Sequence, residues 1–123
     1  MTGSVGMDLA EVARIRKAME NPRFLEEFFT GEERAYITAR HIPEQSAAGA
    51  WAAKEAFSKA VGTGVRGWSL REVEVLHDPL GKPYIRLHGR AAEQFSEYAF
   101  SLSISHTDTM AAAVVLAEKQ GGK

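Results

Sequence analysis

The sequence predicts one α+β domain in which an antiparallel sheet packs against a long helix. Its 123 residues, 45% of them hydrophobic, are enough for one core but too few for two independent ones. Residues 44–61 are rich in alanine and lack proline, which favours a long helix ending at Gly62. Two pairs of short β-compatible runs follow that helix.

The composition argues against several classes of protein. The 15 basic and 16 acidic side chains leave a net charge of −1, which is not typical of a dedicated nucleic-acid-binding protein. No apolar run approaches the roughly 20 residues that span a bilayer, and the N-terminus lacks the pattern of a signal peptide. No cysteine is present, so a metal site would use carboxylate, imidazole or phosphate ligands. We therefore expect a cytoplasmic protein without a membrane anchor.

The first third of the chain predicts one strand followed by short helices. Residues 4–9 form a β-compatible run, and a helical pattern starts at Ala10 until a proline interrupts it. Thr30 and Glu33 have the spacing of a capping box, which opens another helix through about Arg40.

The last third is rich in strand patterns. The predicted strands, which form two hairpins, cover residues 73–76, 83–87, 100–105 and 110–116. Residues 89–98, between the hairpins, predict a short helix. No linker or repeat divides the chain, so we expect a single domain over residues 1–123 with a disordered tail at about 119–123.

A narrow polar stripe runs along the otherwise apolar long helix. At 100° per residue, an arc of about 140° contains four polar side chains, those of Lys54, Glu55, Ser58 and Lys59. A helix that is apolar elsewhere should be mostly covered, so this stripe is expected to border a cleft. The alternative is a surface ion pair between Glu55 and Lys59.

Asp8 lies in an apolar run, where a carboxylate needs a partner, water or a cation. Two roles explain it: an N-cap for the helix starting near Ala10, which the residues alone favour, or a metal ligand.

Two motifs near the helix end and the last hairpin have structural and functional interpretations. The glycines from Gly62 to Gly67 match G-x-G-x-x-G in letters but follow a helix, so they predict a cap and turn, with phosphate contact as the alternative.

Ser105 and His106 end a strand, where side chains often reach a site. A Ser-His hydrolase is a poor fit, because neighbouring strand residues point in opposite directions.

Basic side chains in and beside the first predicted helix include Arg14 and Arg23, which nearby glutamates offset. They predict either a solvated helix face or a modest docking patch for an acidic protein.

Four motifs together resemble one known family. They are Val5-Gly6-Met7-Asp8-Leu9, Trp51-Ala52-Ala53-Lys54-Glu55-Ala56-Phe57-Ser58-Lys59, Gly81-Lys82-Pro83 and Ser103-Ile104-Ser105-His106. In order and spacing they resemble the bacterial holo-acyl-carrier-protein synthases, the short 4′-phosphopantetheinyl transferases. The resemblance implies that family's fold and the transfer of 4′-phosphopantetheine from coenzyme A to a serine of apo-acyl carrier protein, with release of adenosine 3′,5′-bisphosphate.

The same resemblance implies roles for individual residues. Asp8 and Glu55 match the family's Mg²⁺ ligands, and Lys59 matches a lysine that contacts the coenzyme's phosphates. Either Glu55 or a metal-bound water is expected to remove the serine proton. Further coenzyme-binding residues are expected to be Lys54, Ser58, Gly62, Gly64, Lys82, Pro83, Ser105, His106 and Thr107. Arg14 and Arg23 are expected to bind the carrier protein or carrier domain.

The resemblance also implies a homotrimer with coenzyme A in a cleft between subunits. Two residues depart from the family pattern. Ala50 replaces an arginine that contacts the coenzyme's phosphate, so Arg40, Lys54 or Lys82 is expected to substitute for it. Glu27 replaces a basic residue on the carrier-binding surface, which implies a different carrier preference, such as one for a carrier domain within a larger synthase.

Two other functions fit some of the same residues. A non-catalytic module would bind coenzyme A or a carrier protein, and its binding would be insensitive to loss of Asp8. A metal-dependent phosphate-ester hydrolase would use the same two carboxylates and break down coenzyme A without an acceptor protein.

Overall fold

A computed structural model describes residues 3–120 of the chain. Within those residues, the helices are α1 (Val12–Ala18), α2 (Pro22–Phe28), α3 (Gly31–Thr38), α4 (Pro43–Val61) and α5 (Gly89–Gln94). The strands are β1 (Gly3–Glu11), β2 (Val73–His77), β3 (Pro83–Leu87), β4 (Tyr98–His106) and β5 (Met110–Lys119). No helix in this part of the chain is both long and apolar enough to cross a bilayer.

The main sheet confirms the predicted antiparallel arrangement. Its strand order is β1-β5-β4, while β2 and β3 form a separate antiparallel hairpin. Both hairpins and the long helix therefore agree with the sequence prediction. Alternate residues of β5 are buried: Ala111, Ala113, Val115 and Ala117. They belong to the same core as the alanines of α4, which packs on β1 and β5.

Gly6 allows α4 to lie unusually close to β1. A Cβ atom at Gly6 would collide with the backbone carbonyl oxygen of Ala56 and the backbone nitrogen of Ala60. Ser4 reinforces the same contact, since its hydroxyl donates to the carbonyl of Ala60 over 2.5 Å. The close packing brings the side chains of α4 against the strand that carries Asp8.

Gly6→Ala is expected to destabilise the protein by about 1–3 kcal/mol, because backbone atoms must move to admit the methyl group. Gly3→Ala on the same strand is the control, since its Cβ would meet no heavy atom nearer than 3.5 Å. Chemical denaturation of both variants measures the difference. Equal stability of the two variants would contradict the close-packing argument.

Several predicted element boundaries differ from the structure. The first helix begins at Val12 and not near Ala10, because β1 continues its ladder with β5 to the pair Glu11 and Met110. Asp8 therefore lies inside a strand, and the N-cap interpretation is wrong. The capping box of Thr30 and Glu33 is confirmed, although its helix ends at Thr38.

The predicted helix over residues 89–98 ends earlier, at Gln94, since β4 already begins at Tyr98. The predicted disorder from 119 is wrong for Lys119, which pairs with Tyr98 in the sheet. Gln120 also donates its backbone N–H to the carbonyl of Glu97. Residues 121–123 of the predicted tail lie outside the described residues.

Candidate active site

Asp8, Glu55 and Lys59 meet where β1 crosses α4. Asp8 is on the strand face that also carries the buried Gly6, the face towards the helix. Glu55 and Lys59 are one turn apart on α4, so both side chains lie on the same side of that helix. The Lys59 ammonium donates to Asp8 Oδ1 over 2.8 Å and to the Met7 carbonyl oxygen over 3.2 Å.

The charges in this cluster perturb one another. Partial burial, and then the negative charge of Asp8, raise the pKa of Glu55, while Lys59 opposes that shift. The hydrogen bond and the negative charge of Asp8 raise the pKa of Lys59, which keeps this side chain protonated. Asp8 and Glu55 thus repel each other, and this repulsion favours a cation in the cluster.

The donor set fits Mg²⁺. This ion prefers hard oxygen ligands and is commonly held by one or two carboxylates, with substrate phosphate and water completing its coordination. Asp8 and Glu55 supply two carboxylates. Among residues 3–120, no group of three histidine, cysteine or acidic side chains suited to a metal is present.

A cavity of about 340 Å³ lies beside the cluster. Its polar lining includes Asp8, Glu55 and Arg14, and its apolar lining includes Phe24 and Trp51. The rings of Phe24 and Trp51 pack with centroids 5.4 Å apart. Neither aromatic residue was assigned to the site from sequence. Trp51 could have been found from the sequence, because it stands within the long-helix motif. No motif includes Phe24.

The four side chains of the predicted polar stripe of α4 do not all lie at the candidate site, because two of them are buried. Lys54 is completely buried, and its ammonium pairs with the Glu33 carboxylate at 2.9 Å and donates to the carbonyl oxygens of Leu70 and Val73. The prediction that Lys54 contacts the coenzyme is therefore wrong. Ser58 is also buried, and its hydroxyl donates to the carbonyl of Glu55. Ser58 keeps a small exposed fraction of 7%, and its coenzyme contact stays a prediction.

A second cavity, of about 210 Å³, brings together Pro83 and His106 from two of the predicted motifs. Arg40 also lines it, as does Ala50, where the expected arginine is missing. Lys82 is exposed on the β2–β3 turn and is not part of this lining. Of the three predicted substitutes for the arginine, Arg40 alone both lines the cavity and remains exposed.

Tyr36 and His77 line the second cavity and were missed by the sequence analysis. Their rings stack with centroids 4.0 Å apart, and the Arg40 guanidinium lies 5.1 Å from the centre of the Tyr36 ring. Burial, and then the positive charge of Arg40, lower the pKa of His77, so it is neutral near pH 7. The partners come from α3 and β2, and no local sequence pattern indicates that they stack.

The remaining predicted coenzyme residues lie on exposed turns or strand ends. Gly62 and Gly64 have φ angles of +75° and +64°, which confirms the cap-and-turn interpretation. The Thr107 hydroxyl accepts the backbone N–H groups of Thr109 and Met110 and so closes the β4–β5 turn. Ser105 is exposed on β4. A coenzyme role for these residues stays a prediction.

The predicted docking arginines are both exposed. Arg14 lines the cavity beside Asp8, whereas Arg23 lines a separate groove together with Lys17 and Glu27. Basic side chains thus lie next to the acidic cluster, and Glu27 is on the same surface as Arg23.

The family model described as the 4′-phosphopantetheinyl transferase superfamily matches residues 4–115. The chain belongs to this superfamily. A holo-[acyl-carrier-protein] synthase of Clostridium botulinum is 42% identical over 121 residues, which cover 96% of this chain and 98% of the relative. Asp8, Glu55 and Lys59, all three from the quoted motifs, therefore lie in a superfamily member that aligns with this relative over nearly its whole length.

Solved structures of related proteins have the same fold as this transferase superfamily member. Holo-[acyl-carrier-protein] synthase from Neisseria meningitidis matches with a TM-score of 0.87 and 34% identity, over 94% of this chain and 98% of that one. A holo-(acyl-carrier-protein) synthase from Bacillus anthracis in complex with CoA (3′,5′-ADP) matches with a TM-score of 0.82 and 35% identity, over 95% and 96%.

Proposed function

We propose that this chain is a Mg²⁺-dependent enzyme that transfers 4′-phosphopantetheine from coenzyme A to a serine of apo-acyl carrier protein, releasing adenosine 3′,5′-bisphosphate. The observation that carries the proposal is the cluster of Asp8, Glu55 and Lys59 beside an open cavity. Support comes from the superfamily match, from the relative named holo-[acyl-carrier-protein] synthase and from the related structure in complex with CoA.

The residues of the cluster have distinct parts in this reaction. The serine oxygen of the carrier forms a bond to the phosphorus of the pantetheine arm while the bond from that phosphorus to the bisphosphate breaks. Glu55 and a water held by the metal are the two candidates for removal of the serine proton. Lys59 stabilises negative charge on the departing phosphate. Asp8 and Glu55 would hold Mg²⁺, which neutralises phosphate charge when bound.

The second cavity supports a place for the phosphorylated nucleotide end of the coenzyme. Arg40 and His106 contribute a guanidinium and an imidazole, and Tyr36 offers an aromatic surface. An arginine is expected at position 50 to bind the coenzyme's phosphate, and this chain has Ala50 there. We propose that Arg40 binds this phosphate instead. This cavity shares no lining residue with the one beside Asp8.

We further propose that the enzyme is a homotrimer whose subunits each supply part of the coenzyme site. The separation of the two cavities supports this, and so does the outer face of the edge strand β1. There Val5, Met7 and Leu9 are 62%, 55% and 59% exposed, which is unusual for three apolar side chains in a row on one face.

Val5→Glu is expected to dissociate the trimer and to weaken coenzyme A binding at least about tenfold, because a charge on this apolar face opposes its burial. Light scattering gives the mass, and calorimetry gives the affinity. Ser101→Glu, exposed on the other edge strand, β4, is the control. A monomeric wild-type protein with full transferase activity would contradict the shared site.

Charge reversal of Arg14 or Arg23 is expected to raise KM for the carrier by about tenfold and to change kcat less, because a basic patch steers an acidic partner. Arg90→Glu on α5 is the matched control, since Arg90 is exposed and lines neither described cavity. Initial rates at low and high salt measure the effect. An unchanged KM with an unchanged salt dependence would exclude this docking surface.

Mass spectrometry of an apo-carrier incubated with enzyme, coenzyme A and Mg²⁺ tests the function itself. We expect the mass of the carrier to increase by one phosphopantetheine group. No adduct on free carriers or on carrier domains would refute the transferase. Bisphosphate released without a carrier would favour the hydrolase, and coenzyme binding unaffected by loss of Asp8, without transfer, would favour the binding module.

We also propose that the enzyme acts in the cytoplasm and serves fatty acid biosynthesis. The acyl carrier protein as acceptor supports the second statement. The cysteine-free composition agrees with a reduced compartment.

A further inference from the structure

The Lys59 ammonium lies against the Asp8 carboxylate and is attracted by the charge of Glu55. Its Nζ atom is 2.8 Å from Asp8 Oδ1 and also contacts the carbonyl oxygen of Met7. The nearby Glu55 carboxylate adds a further attraction, which contributes to the raised pKa of Lys59. One positive charge thus offsets part of the repulsion between two carboxylates.

A divalent cation held by Asp8 and Glu55 would compete with Lys59 for the Asp8 carboxylate. An ammonium hydrogen-bonded to Asp8 occupies one of these oxygens and repels a second cation at short range. The two cations therefore cannot share Asp8 without a cost in free energy. Either cation relieves the repulsion between the carboxylates of Asp8 and Glu55. The divalent ion relieves more of it, because it carries the larger charge.

Lys59 is able to leave Asp8 with little reorganisation. Its side chain is 57% exposed and extends from α4 on a flexible stem of four carbons. Exposed ion pairs contribute little stability, so solvent or a phosphate group can replace Asp8 as its partner. By contrast, the backbone of Asp8 is held in β1 by its pairing with Ala113 of β5, and its side chain is short.

We propose that Lys59 occupies the cation position in the metal-free protein and is released from Asp8 when the divalent ion binds. The released ammonium is then free to bind phosphate, so the ion and an anionic substrate strengthen each other's binding through this side chain. This inference rests on the proposed function for the identity of the ion. Its geometry rests on the contacts of Lys59.

Removal of the ammonium should tighten metal binding in the absence of coenzyme A. Lys59→Met, which keeps the length of the side chain, is expected to lower the Kd for Mn²⁺ by about five- to tenfold. Electron paramagnetic resonance of free Mn²⁺ at one fixed pH measures this affinity without any turnover. A melting curve of each variant verifies that it is folded.

Two variants separate the local effect from net charge. Lys119→Met removes an equally exposed lysine, which forms an ion pair with Glu97. Lys119 lies about 20 Å along β5 from Ala113, the residue opposite Asp8 in the sheet. The Kd of the Lys119→Met variant for Mn²⁺ should change less than about twofold. Lys59→Arg keeps the charge at the cluster, and its Kd should equal or exceed that of the wild type.

An unchanged or higher Kd in Lys59→Met would overturn the inference, as would an equal decrease in Lys119→Met. Neither result affects the proposed transfer reaction, which the carrier mass assay tests separately. Failure of both wild type and Lys59→Met to bind Mn²⁺ would instead refute the metal site and the inference together.

Discussion

Asp8→Ala and Glu55→Ala are each expected to reduce kcat/KM for phosphopantetheine transfer by about 10³-fold or more. Each change removes half of the carboxylate pair that would hold the divalent ion, and such an ion contributes several kcal/mol to stabilisation of phosphate charge. Both side chains are at least partly accessible and neither belongs to the buried core, so the fold should persist. Steady-state rates with coenzyme A and an apo-carrier measure the loss.

The control for the carboxylate variants is Glu93→Ala. Glu93 is an exposed carboxylate on α5 and lines neither described cavity, so its loss removes the same charge away from the site. Near-normal, Mg²⁺-dependent transfer by either carboxylate variant would refute the ligand role of that residue. Circular dichroism of each variant distinguishes a catalytic defect from a folding defect.

Lys54→Met should destabilise the protein by about 3–5 kcal/mol near neutral pH. Lys54 neighbours Glu55 in sequence, but its side chain is buried and not at the candidate site. The substitution leaves the Glu33 carboxylate buried without its ammonium partner. Burial already raises the pKa of Glu33 above its ordinary value of 4.5, and loss of Lys54 raises it further. Urea denaturation at pH 7 measures the loss of stability.

The pH dependence of Lys54→Met provides an independent check. A carboxyl with a higher pKa in the folded than in the unfolded state stabilises the fold when it is protonated. This contribution is lost as the pH rises through the folded-state pKa. The stability of the variant should therefore increase as the pH is lowered from 7 towards 5.

A second substitution removes the unpaired charge. The double variant Lys54→Met with Glu33→Gln should be more stable at pH 7 than Lys54→Met alone, because a neutral amide costs less to bury than a carboxylate. Equal stability of the single and double variants would contradict the unpaired-charge explanation.

The predicted elements that the structure confirms depend on local patterns. The alanine-rich α4, its glycine cap and the two hairpins are encoded within short windows of sequence. The end of β1 is different, since pairing of Glu11 with Met110 extends the strand from the far end of the chain. No local signal at Asp8 contains that information, and the N-cap interpretation failed for this reason.

The candidate site was also predictable from the sequence only where its features are local. The i,i+4 spacing of Glu55 and Lys59 and the isolated carboxylate of Asp8 are visible in the sequence. Lys54 lies within the same helical arc, yet its partner Glu33 is 21 residues away on α3. Helical angles alone do not show which side of α4 another element covers. The stack of Tyr36 on His77 likewise depends on contact between distant segments.

The edge position of β1 has a consequence for synthesis of the protein. Asp8 and Lys59 are 51 residues apart, and the neighbour that holds β1 in the sheet is the last strand, with Gly3 opposite Glu118. A ribosome has therefore made every element from β1 through β5 before β1 can pair. The carboxylate of Asp8 acquires its final surroundings only when β5 has emerged.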